Sequence, residues 1–118
     1  MKISSTIKKH GDAQIISWSD MPADSLGSVV DSSALIPRSV TFEGTFNGAV
    51  VTIEGSLGGE FFPLTSLSGH IAEAGSDGMR LLSRSSLKIM PVISDGTRGT
   101  RITVRILCDT IPRRRLGR

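Results

Sequence analysis

Residues 39–56 read SVTFEGTFNGAVVTIEGS, two alternating segments on either side of Asn47-Gly48. Asn-Gly suits a type I′ turn, because both central residues need positive φ and the turn's twist matches the strands it joins. The stretch therefore predicts a β-hairpin. Such a turn would set Phe46 opposite Ala49, Gly44 opposite Val51 and Phe42 opposite Ile53 on one apolar face. Thr41, Glu43 and Thr45 would then oppose Glu54, Thr52 and Val50 on a mostly polar face. A sheet that is apolar on one side needs a second layer, so the expectation is an all-β antiparallel sandwich.

Outward from this stretch, the C-terminal third predicts a second hairpin, from SSLKIMPVIS at 85–94 through DGTRGT into RITVRILC at 101–108. In the last segment Ile102, Val104, Ile106 and Cys108 share one face and Arg101, Thr103, Arg105 and Leu107 the other, so the first set is expected in the core. Pro91 has no N–H to give a ladder, which points to an edge strand or a bulge. Toward the N-terminus, AQIISWS at 13–19 reads as a strand and MPADSLGS as a turn-rich connection. EFFPLTSL at 60–67 is strand-like but broken by Pro63. HIAEAGSDGMRLLS at 70–83 is compatible with a short helix or with extended structure.

The chain has 118 residues, enough for one core, and it is modestly apolar with 13 glycines. No run of about 18 apolar residues spans a bilayer, and MKISSTIKKHGDAQ lacks the apolar stretch of a signal peptide. A soluble protein made in the cytoplasm is expected. Lys2, Lys8 and Lys9 make the first nine residues basic, as Arg113, Arg114, Arg115 and Arg118 do the last six, leaving residues 10–112 with seven basic against eleven acidic side chains. These ends read as solvated tails or as arms toward an acidic partner. The expected organisation is an N-terminal arm at 1–12, a sandwich at 13–111 and a basic tail at 112–118.

Catalytic chemistry finds no foothold. His10 and His70 lie in unlike contexts, no serine sits in a nucleophile elbow, and no Cys/His set has metal-ligand spacing. Cys108, the single cysteine, falls on an apolar strand face where a buried, inert thiol is expected. Neither phosphate-binding glycine pattern occurs, and the expectation is no enzyme, no metal and no cofactor. Arg113–Arg115 favour nucleic acid, but with no Tyr, one Trp and four Phe there are few stacking platforms, and protein is the expected partner. Trp18 is assigned to the core. Phe61 and Phe62 are adjacent, so in a strand they point to opposite faces and one is exposed, whereas an irregular segment before Pro63 would tuck both rings in.

Several segments resemble small virion proteins of tailed phages. They are ISW at 16–18, ADSLG at 23–27, RSVTFEGTFNGAVVTIEGSLGG at 38–59, PLTSLSG at 63–69 and IMPVISDGTRGTRITVRI at 89–106. The resemblance spans residues 13–108 and mainly encodes strands and turns. Leu57–Phe62 and the arginine-rich tail depart from its pattern. It implies a sandwich or jelly-roll subunit of the head decoration (cement) type, on the outer surface of the head, commonly a dimer bridging subunits of the major capsid protein. The residues then expected to touch a partner are Lys8 and Lys9, Phe61 and Phe62, and Arg113, Arg114 and Arg115, with Arg101 and Arg105 a weaker choice. A tail or head–tail junction component and a nucleic-acid-binding module are the alternatives.

Overall fold

A computed structural model describes residues 2–82 and 87–110. In chain order the strands are β1 (Lys2–Ile3), β2 (Ser5–His10), β3 (Ala13–Met21), β4 (Leu26–Gly27), β5 (Val30–Asp31) and β6 (Leu35–Thr45). There follow β7 (Val50–Ser56), β8 (Phe62–Pro63), β9 (Glu73–Ala74), β10 (Gly78–Leu81), β11 (Lys88–Ser94) and β12 (Arg101–Thr110). Sheet A has the order β1-β4-β11-β7-β8, with β5 also on β11 and β9 also on β7; sheet B has the order β10-β6-β12-β3-β2. The β1–β4 pair is parallel and every other strand pair is antiparallel. The fold is the expected all-β sandwich, and 70–82 takes the extended alternative.

The pairing of the two expected hairpins is different. β6 and β7 belong to different sheets, and so do β11 and β12: β6 pairs β12 over ten positions and β7 pairs β11 over seven. Residues 46–49 and 95–100 are therefore arches between the layers. The turn itself is as expected, with φ of 49° at Asn47, 86° at Gly48 and Ala49 N donating to Phe46 O at 2.8 Å. Beyond it the strands part, because Phe46 and Ala49 both turn into the space between the sheets, where they are buried. The arches brace each other. Asn47 Nδ2 donates to Arg98 O at 3.1 Å, and buried Thr100 Oγ1 lies 3.2 Å from Phe46 O and 2.8 Å from Thr97 O.

Two further expectations need correcting. Residues 2–10 do not extend as an arm: Gly11, at φ 62°, opens a two-residue turn that folds β2 back on β3, from His10 opposite Ala13 to Ser5 opposite Trp18. Pro91 is not at a sheet edge. β11 lies inside sheet A, and Pro91 falls between the places where β5 and β4 pair with it, so its missing N–H leaves no gap in a continuous ladder. The tail at 112–118 lies outside the described residues.

Alternation decides the core. Ile102, Val104, Ile106 and Cys108 are fully buried, as are Val40, Val51, Ile53, Ile89 and Trp18, while Phe42 is 1% exposed. Each such aliphatic side chain contributes about 1.5–3 kcal/mol by leaving water. Trp18 crosses from sheet B to sheet A, where its indole N–H donates to Ser28 O at 3.0 Å. That bond removes the cost of burying the indole nitrogen.

Candidate contact surfaces

The sheet order sets which surfaces are free. β1 and β2 form one long side of the sandwich, since β1 ends sheet A, β2 ends sheet B, and β1 packs against β3. The other side is built by β8, β9 and β10. There the chain from 64 to 82 crosses between layers through the Ser66–Leu82 bridge, with Leu67 N donating to Leu81 O at 2.9 Å.

Lys8 and Lys9 lie on β2, both exposed, at the free edge of sheet B. Phe62 is 62% exposed on β8 and Phe61 is half-buried, so of the two alternatives the structure takes the one with an exposed ring. The structure thus places Lys8–Lys9 and Phe61–Phe62 on opposite sides of the sandwich, and one partner surface of ordinary size does not engage both through a flat contact. Arg113, Arg114 and Arg115 lie outside the described residues. Arg105 pairs with Glu43 across β12 and β6, and Arg101 is exposed beside Thr45.

Sequence reasoning missed the outer face of sheet B. One row across it runs Leu81, Ser39, Leu107, Ile15, Lys8, and the next runs Met79, Thr41, Arg105, Ser17, Thr6. Met79, Leu81 and Leu107 are 56%, 48% and 39% exposed. Nearby charges are matched on the face itself, by Arg105–Glu43 and by Arg38–Asp109 at 2.5 Å. Lys8, at the edge of the first row, has no such partner among the described residues, and the apolar side chains beside the two paired charges suit a protein contact. Leu107 was visible as the apolar member of the polar face of β12. Met79 and Leu81 were hidden because the structure of 70–83 was open.

Charge is segregated between the long sides. β1 and β2 carry Lys2, Lys8 and Lys9, all exposed, and residues 1–11 contain no acid. Around β7–β9 stand Glu54, Glu60 and Glu73, the last two exposed, and residues 39–79 contain no Lys or Arg.

A cleft of about 470 Å³ lies between Pro22–Asp24 and Gly96–Arg101. Its Asp24 carboxylate accepts the Asp95 N–H at 3.0 Å and so serves the loops themselves. Among the described residues no three His, Cys, Asp or Glu side chains are grouped to hold a metal. Burial pushes the Cys108 thiol up to about 11, with Asp109 adding to the shift. Asp31 is held below the usual carboxylate range, first by the Ser33 backbone N–H and then by the Ser33 side chain.

No family model and no curated protein matches the chain. Among solved structures, the SPBc2 prophage-derived protein YomS superposes with a TM-score of 0.62 at 13% identity, covering 86% of this chain and 97% of that one. At that identity the likeness is one of fold, and it extends over nearly all of YomS. The structure of IMPa from Pseudomonas aeruginosa in complex with an O-glycopeptide gives a TM-score of 0.46 at 11% identity, covering 90% of this chain and 13% of that one.

Proposed function

We propose that this chain is a structural protein of a tailed-phage particle that works by binding protein surfaces, as a decoration (cement) subunit on the outside of the head. The observation that carries the reading is the apolar row Leu81–Leu107–Ile15 with Met79 on the outer face of sheet B. It supports docking against neighbouring subunits of the major capsid protein. The fold shared with nearly the whole of a prophage-derived protein supports the phage setting. A subunit that touches two shell proteins gains effective concentration for the second contact, so modest interfaces spread over a lattice suffice to resist internal pressure.

The test is cosedimentation of purified protein with undecorated heads, for the native chain and for a Met79→Glu/Leu107→Glu variant. The reading expects the native chain to pellet with heads and the variant to stay in solution. Failure of the native chain to bind at low and moderate salt contradicts it. A ring at the tail or head–tail junction is a second reading, favoured by the opposite charges of the two long sides, which suit copies placed side by side.

A further inference from the structure

We infer that copies of this chain associate head to tail, the basic β1–β2 side of one copy resting against the acidic β7–β9 side of the next. The inference concerns the chain alone and does not rest on the capsid reading.

Charge complementarity selects this arrangement over its rivals. Exposed Lys8 and Lys9 have no ion-pair partner among the described residues, nor do exposed Glu60 and Glu73 on the other side. A two-fold contact through β2 would bring Lys8 and Lys9 of both copies together, and one through β7–β9 would bring the glutamates together. Like charges at a contact suppress it, whereas the mixed contact pairs lysine with glutamate. Lys88, on β11, stands opposite Ser56 at the end of β7, and on β10 beside the acidic side lies Arg80. Arg80 sits opposite buried Val40 on the core-facing side of β10, and its Nη1 donates to Met79 O.

Apolar surface accompanies the charges on both sides. Ile7 on β2 is 50% exposed, and beside the glutamates Phe62 and Ile71 are 62% and 47% exposed. Edge lysines are a common guard against strand pairing. That role accounts for Lys8 and Lys9 but not for the absence of lysine from β7–β9. A contact between two different patches leaves each copy with one free patch of each kind, so it closes into a ring or runs on as a filament. The two-fold dimer expected from the sequence resemblance would have no such continuation.

Sedimentation velocity on the full chain tests this. At low salt the native chain is expected to form assemblies that grow with concentration, weakening about tenfold or more as ionic strength approaches 0.3 M, where screening shortens. Lys8→Glu/Lys9→Glu and Glu60→Lys/Glu73→Lys are each expected to be monomeric, and their equimolar mixture to associate again. The substituted side chains are all exposed, and the fluorescence of Trp18 together with the urea midpoint verifies folding. If a reversal unfolds the chain, the Gln versions at the same positions take its place and should weaken association in the same direction. A native chain that stays monomeric at every concentration and salt overturns the inference, as does association that survives either reversal or a mixture that remains monomeric. A monomer that still pellets with heads would remove this inference and leave the capsid reading standing.

Discussion

Trp18 and Gly27 meet across the two sheets so closely that no side chain fits at position 27: a Cβ there would stand 2.7 Å from Trp18 Cδ1 and 2.5 Å from Pro91 Cδ and Cγ. Glycine is required at this point by contact, since its φ is not in the left-handed range. Gly27→Ala should therefore cost about 1–3 kcal/mol through overpacking, read as a lower urea midpoint with unchanged slope. Trp18→Ala should cost about 3–5 kcal/mol. Trp18 is the single tryptophan, so its emission reports the native core directly.

The arch at 46–49 gives a second prediction. Asn47 holds φ 49° and donates its side-chain amide to Arg98 O. Asn47→Ala should cost about 1–2 kcal/mol from left-handed strain together with the lost bond. Asn47→Gly should recover the strain and lose only the bond. Equal destabilisation by both substitutions would mean that the backbone at this turn is not constrained as described.

Face alternation was legible, and partner choice was not. Phe42, Phe46, Ala49, Val51 and Ile53 are all buried, as the alternation in 39–56 requires. That pattern is the same whether β7 returns beside β6 in one sheet or crosses to face it from another, because period two states which side is buried and not which strand is the neighbour. The ladders that replaced the local hairpins join residues such as Arg101 and Thr45, more than fifty positions apart. The one hairpin of the N-terminal region was signalled by Gly11-Asp12, where glycine stands at the first turn position. The basic composition of 1–12 fits a solvated arm equally well, so composition alone does not reveal this hairpin. Of the expected contact residues, Phe62 was legible from the adjacency of two rings. The row through Met79, Leu81 and Leu107 was not, because it exists only once β10, β6 and β12 are aligned.

Cys108 supplies a pH dependence. Its pKa is raised by burial from an ordinary value of 9.0 to about 11, so the folded chain holds the proton more tightly than the unfolded one. That contribution is fully present below about pH 9 and is lost as pH rises through about 11. Stability measured by urea unfolding should fall over that window, and Cys108→Val should remove this part of the fall. A thiol reagent at pH 8 should leave the native chain unmodified and react once urea unfolds it.

The exposed ion pair of Arg105 with Glu43 should matter little to folding. Glu43→Gln is expected to change stability by less than about 1 kcal/mol, because an exposed pair of this kind is screened and costs side-chain entropy. Leu107→Glu, on the same face, should also leave the urea midpoint within about 0.5 kcal/mol of the native value. A large loss of stability from either would place this face in the core of the fold and remove it as a contact surface.

The most direct measurement is an electron cryo-microscopy map of virions that contain the protein. The account predicts density for the sandwich repeated over the head shell, with the outer face of sheet B, and Leu107 and Met79 on it, turned toward capsid subunits. Density confined to a single ring on the tail axis, or the same sandwich seated with that face turned to solvent, would contradict it.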